Sequence, residues 1–163
     1  MRDVALQEAA DSKNALANHI ESRTILISAM KDVFDYIVNT KVLYDRVLAN
    51  YNWKGTYLEN EEYPCRGFFY NKKGVTFGKF KVNDQDQTRE GEGLIVSNDN
   101  FAYCGKICGD RYHGTGLYYD KEEGIQSGQL QNGYFTGWSV KTRKDGECRR
   151  GTWVDDVLVT EQS

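Results

Sequence analysis

The sequence predicts an α+β chain: an amino-terminal amphipathic helix, single or broken in two, followed by a single-layer antiparallel sheet of stacked β-hairpins. Two observations carry this prediction. All sixteen glycines lie between Gly55 and Gly151, and five of them, Gly55, Gly78, Gly105, Gly128 and Gly151, recur at intervals of 23, 27, 23 and 23 residues. Residues 1–50, by contrast, contain neither Gly nor Pro. Self-similarity at a period of roughly 20–50 residues marks a stacked architecture, in which each unit needs its neighbours to bury an apolar face. The chain therefore divides near Tyr51 into a helical segment at 1–50, a repeat array at 51–159 of about four and a half units, and a short tail at 160–163 expected to be disordered.

The helical expectation rests on apolar spacing. Leu16, Ile20, Ile27, Met30, Phe34, Ile37, Tyr44 and Leu48 follow a 4,3 rhythm, widened in the middle by Leu26, Val33 and Val38. At 100° per residue the widened stripe covers about 140°, broader than a strict coiled-coil seam. Arg23 and Lys41 interrupt it, and Asp11 or Ser12 could cap a second helix. Two arrangements stay open: this segment packs on its own sheet, or residues 16–48 self-associate as a coiled coil in a homo-oligomer.

The third repeat is the clearest. Phe101-Ala-Tyr103-Cys-Gly105-Lys-Ile107 reads as a strand, Gly109 to Gly114 as a turn, Gly116-Leu117-Tyr118-Tyr119 as a second strand, and Lys121 to Gly124 as a closing turn. The fourth repeat copies it with Gly128, Leu130, Gly133, Gly137, Trp138 and Val140. The second carries a four-residue insertion within Asn83 to Glu90, and the fifth ends after Gly151-Thr-Trp153. Aligned units give two apolar ladders: Tyr57, Phe80, Ile107, Leu130 and Trp153 on first strands, and Phe68, Leu94, Leu117 and Val140 on second strands. Both are expected on one apolar face, with Thr56, Lys79, Lys106, Gln129 and Thr152 facing water. An open apolar face of that size needs a cover, and the segment Thr24 to Leu48 has a matching length.

Tyr103-x-Gly105, Gly109, Gly114-x-Gly116 and the following Leu-Tyr-Tyr strand resemble the MORN repeat, the membrane occupation and recognition nexus motif. Trp53-Lys-Gly55 and Gly91-Glu-Gly93 echo parts of it, so the likeness spans Tyr51 to Val159. Gln126 and Arg149 stand where the leading aromatic belongs, and Ser139 replaces the second Gly of its pair. The resemblance implies a binding or scaffolding role, a non-enzymatic protein–protein interaction or assembly module acting through the repeat surface and the helix.

No catalytic motif contradicts that role: GxSxG, P-loop and HExxH patterns are absent. Cys108, Asp110 and His113 form the best nucleophile–base grouping, but they occupy a hairpin turn and read as exposed polar residues. The four cysteines lack zinc-type pairing, so no metal and no cofactor are expected. A net charge of −3 offers nothing to nucleic acid. The amino terminus lacks a signal-peptide h-region and no stretch is apolar enough to span a bilayer, giving a cytoplasmic expectation.

Aromatics outside the apolar ladders are the candidate contact residues. Phe69 and Tyr118, in a ladder with Ile95 and Lys141, are expected to face away from the core, and Tyr103, Tyr119, Tyr134 and Trp138 join them. Tyr and Trp supply contact area at low entropy cost, which suits a protein partner. One alternative is a peripheral anionic-lipid scaffold using Lys141-Thr-Arg143-Lys144 with Arg149-Arg150; another is a coiled-coil oligomerisation protein with the repeats as its cap.

Overall fold

Among the described residues, eleven antiparallel strands form one open sheet in simple sequence order, each strand bonded to its neighbours in sequence. The computed structural model describes residues 24, 25, 27, 31, 44–47, 52–83, 85–86 and 88–162. The strands are β1 (Tyr44–Val47), β2 (Asn52–Tyr57), β3 (Cys65–Asn71), β4 (Gly74–Val82), β5 (Arg89–Ser97), β6 (Phe101–Cys108), β7 (Arg111–Asp120), β8 (Gly124–Gln131), β9 (Tyr134–Thr142), β10 (Cys148–Val154) and β11 (Val157–Gln162). At about 4.8 Å per strand the sheet is roughly 50 Å across.

The α+β expectation is thereby corrected: among the described residues the protein is all-β, with no helical element. Thr24, Ile25, Ile27 and Lys31 are helical; the rest of the segment to residue 43, where the amphipathic helix was expected, lies outside the described residues. Where Tyr44 was assigned to the helical stripe, Tyr44–Val47 pairs with Asn52–Gly55 as β1. The free edge of β2 offers a row of backbone donors and acceptors, and satisfying them outweighs a helical side-chain rhythm. At the other end, the tail expected to be disordered continues β11 as far as Gln162.

The glycines form a row across the sheet. Gly55, Gly67, Gly78, Gly93, Gly105, Gly116 and Gly128 stand directly opposite one another on successive strands, and Ser139 then Gly151 complete the line. Large side chains lie over this row because no Cβ stands in the way. Tyr103 is 0% exposed; a Cβ added at Gly105 would come within 2.5 Å of its hydroxyl, and one at Gly116 within 2.5 Å of its ring. The Tyr103 hydroxyl donates to the Lys106 carbonyl (2.7 Å), and its ring stacks on Tyr112 at 4.0 Å. Phe69 and Phe80 meet edge-on at 5.2 Å, and Trp53, Cys65, Ile107, Leu130, Phe135 and Trp153 complete the cluster. Each such buried side chain contributes about 2–3 kcal/mol.

Parity from the glycine row corrects the face assignment. A residue two positions from a row glycine shares its face, whereas the residue immediately after takes the other. Phe80, Ile107, Leu130 and Trp153 thus lie on the inner face with Phe69, Ile95 and Tyr118, while Phe68, Leu94, Leu117 and Val140 lie on the outer face. There Phe68 packs edge-on against Phe77 at 4.7 Å, beside the Lys79–Glu92 ion pair at 3.1 Å. The two ladders that aligned units placed together are back to back.

The fourth repeat departs from the third in a coordinated way. Gln126 takes the position of Tyr103, and Ser139 takes that of Gly116. Gln126 Nε2 donates to Ser139 Oγ at 2.9 Å, and the Trp153 indole donates to the Ser139 carbonyl at 3.2 Å. A polar pair in the core is tolerated because each partner satisfies the other. The insertion after Val82 stays inside the β4–β5 turn and leaves the pairing of Gly78 with Gly93 intact.

Candidate functional site

Three cavities follow one another along the inner face. The first, about 600 Å³, is walled by Phe69, Thr76, Arg89, Ile95, Phe101 and Tyr112. The second, about 300 Å³, takes Tyr112, Tyr118, Asp120, Phe135, Lys141 and Asp156. The third, about 270 Å³, is bounded by Lys141, Arg149, Trp153, Asp156 and Leu158. Tyr112 and Gly133 belong to both the first and second, and Lys141 and Asp156 to both the second and third. Shared walls make one groove running across the strands.

Repeat geometry builds this groove. Arg89, Tyr112, Phe135 and Leu158 are each 23 residues apart, as are Ile95, Tyr118 and Lys141. The hairpin turns that join successive units supply its rim: Asp110, Gly133 and Asp156 donate their backbone N–H to the carbonyls of Arg89 (3.1 Å), Tyr112 (2.9 Å) and Phe135 (3.1 Å). The Asp110 and Asp156 carboxylates accept in return from the backbone N–H of Arg89 (2.9 Å) and Phe135 (2.7 Å). These turns need positive φ, met by Gly109 with Asp110, Asn132 with Gly133, and Asp155 with Asp156. Each hairpin is thereby fastened to the one before it.

Electrostatics differ from cavity to cavity. In the first, the Arg89 guanidinium bonds Asp110 at 2.7 Å and Thr76 Oγ1 at 2.8 Å, lying 5.7 Å and 5.8 Å from the Phe69 and Phe80 ring centres. Lys73 and Arg111 also line this cavity. In the second, Asp120 accepts the turn N–H groups of Glu122 (2.7 Å) and Glu123 (3.0 Å), and Lys141 bonds Glu123 at 3.0 Å. The backbone donors of Glu123 and Glu122, followed by the Lys141 charge, hold the Asp120 carboxyl below its ordinary range. Burial, followed by the Asp120 and Asp156 charges, pushes the Tyr118 phenol up. Burial does the same to Tyr112, seconded by Tyr118 and opposed by Arg89.

The sequence-selected contact residues scatter. Phe69 and Tyr103 are core residues, Phe69 at the wall of the first cavity and Tyr103 beneath the groove. Tyr118 does line the groove. Tyr119, 42% exposed, and the half-buried Trp138 stand on the outer face, with the Trp138 indole N–H buried and without a hydrogen-bond partner among the described residues. Tyr134, 51% exposed, lies by a hairpin turn near Arg111 and Asp155. Sequence reasoning missed Arg89, Tyr112, Phe135, Asp120 and Asp156, although the 23-residue spacing of Tyr112, Phe135 and Leu158 signalled them.

The suspected nucleophile–base grouping is not assembled. Asp110 is held by Arg89, and Cys108 faces Arg111 in register while His113 faces Lys106. Among the described residues no group of three or more His, Cys, Asp or Glu is placed to hold a metal, and no helix is long and apolar enough to cross a membrane. No known family model matches the chain, and none of the curated proteins matches it.

Proposed function

We propose that this chain is a non-enzymatic, MORN-type docking module whose inner groove holds an extended segment of a partner protein. The observation that carries this reading is the succession of three connected cavities in step with the 23-residue repeat. A compact substrate fits one pocket; a series of pockets at a fixed pitch fits a linear polymer. Aromatic and aliphatic walls with a few polar groups are the usual lining of a site that takes side chains. The basic stretch weighed for lipid is largely engaged within the sheet, with Lys141 bonded to Glu123 (3.0 Å) and Arg149 to Glu147 (2.9 Å), which favours a protein ligand over an anionic membrane.

The test is selection from a displayed library of random ten-residue peptides, followed by amide chemical-shift mapping of the recovered binders. Shifts along Ile95, Tyr112, Tyr118 and Phe135 support the groove. Recovery of no binders, or shifts confined to the outer face around Tyr119 and Trp138, refutes it.

A further inference from the structure

The first two cavities carry opposite charge. Lys73, Arg89 and Arg111 line the first against the single carboxylate of Asp110. Arg89 is committed to Asp110, but Lys73 and Arg111 have no acidic partner among the described residues. The second cavity reverses the balance, with Asp120, Glu123 and Asp156 against Lys141 alone. Lys141 is bonded to Glu123, so a single cation faces three carboxylates in a cavity that Asp120 and Asp156 line together with Tyr118. In both aspartates a single oxygen, Oδ1, accepts the backbone N–H groups, so the second oxygen of each accepts none from the described residues.

We infer that the groove reads charge order: an acidic side chain enters the first cavity and a lysine or arginine side chain enters the second, three residues apart on one segment in polyproline II conformation. This rests on the docking function proposed above and specifies its ligand. Spacing follows from the fold. Equivalent cavities lie one hairpin apart, two strands or about 9.6 Å, and three residues of polyproline II chain, one full turn that brings the side chain back to the same face, span about 9.3 Å. A cation in the second cavity meets two carboxylates and the faces of Tyr112, Tyr118 and Phe135, and aromatic faces attract cations in a desolvated site. A carboxylate in the first has Lys73 at one end of the cavity and Arg111 at the other. The third cavity receives no assignment, because Glu147 already bridges its Arg143 and Arg149.

The experiment uses synthetic ten-residue peptides with a Pro/Ala background, which favours the three-residue repeat, read by fluorescence anisotropy against the whole chain. One carries Glu and Lys three positions apart; its companions replace Lys by Met, replace Glu by Gln, or set the pair two apart. The paired peptide is expected to bind at least about tenfold more tightly than each companion. Asp120→Asn with Asp156→Asn keeps the acceptors of both turns and removes the charge. It should weaken the paired peptide about tenfold and leave the Met companion unchanged, with the melting temperature as the check on folding. Lys73→Met with Arg111→Met should act only on peptides containing Glu. If the Met companion binds as well as the paired peptide and its shifts map to the groove, the charge reading falls and the docking function stands. If no peptide of the set binds, both fall.

Discussion

Replacing Gly116 by Ala tests the packing on which the whole inner face depends. The new methyl would stand 2.5 Å from Tyr103 Cε2, 2.6 Å from its hydroxyl and 2.8 Å from Cζ. Carbon atoms rest at about 3.5–4.0 Å, so the ring must retreat by roughly 1 Å. It has nowhere to go, being wholly buried, stacked on Tyr112 and tied to the Lys106 carbonyl. Overpacking of this kind costs about 1–3 kcal/mol, and losing the hydroxyl's partner adds about 1 kcal/mol. Alanine recovers about 0.5–1 kcal/mol of backbone entropy relative to glycine, leaving a net loss of about 1–3 kcal/mol. Urea unfolding of wild type, Gly116→Ala, Tyr103→Ala and the double variant measures it. In the Tyr103→Ala background the glycine substitution should be neutral or stabilising. Equal costs with and without the Tyr103 ring would refute the idea that Gly116 is glycine in order to seat that ring.

Gln126→Tyr and Ser139→Gly should each destabilise by about 1–3 kcal/mol, the first by clash with Ser139 and the second by leaving the Gln126 amide unbonded, whereas the pair together should recover most of the loss; additive losses in urea would contradict the coupling. Arg89→Lys should cost about 1–3 kcal/mol, because an ammonium cannot reach Asp110 and Thr76 together while lying against Phe69 and Phe80; a melting temperature unchanged from wild type would contradict this. Burial, aided by Glu92, pushes the Cys104 thiol up to about 11, and Cys65 is also buried, so a thiol reagent near pH 8 should modify Cys108 and Cys148 quickly and the other two only after unfolding. The depressed Asp120 carboxyl contributes stability that is complete above its ordinary value of 3.8 and lost as pH falls through the lowered one, so Asp120→Asn should flatten acid unfolding below about pH 4.

The hairpin array was legible because glycine spacing is a local signal that a stacked fold forces on its sequence. Gly105, Gly116 and Gly128 are spaced by the need of neighbouring strands to meet without a Cβ, and that need survives in a bare string of letters. Faces were harder, because unit alignment preserves order but not parity across a turn. Phe68 and Phe80 look equivalent in the alignment and lie on opposite sides, since only one of them is an even step from a row glycine. Exposure was misplaced for the same reason: Phe69 and Tyr103, expected to face away from the core, are buried in it.

The first fifty residues mark the limit of periodicity. A helical rhythm through Tyr44 says which side chains could share a face, but it cannot report that the edge of β2 stands beside that segment with its backbone groups unpaired. Sequence alone determined that residues following Tyr51 stack as glycine-marked hairpins, because conformational and steric demands on glycine act within a strand and its immediate neighbours. Tertiary structure alone decided which face became the groove, how Gln126 and Ser139 compensate one another, and where opposite charges gather. Those outcomes depend on register between strands 13 to 23 residues apart, and register is fixed by the packing of the assembled sheet.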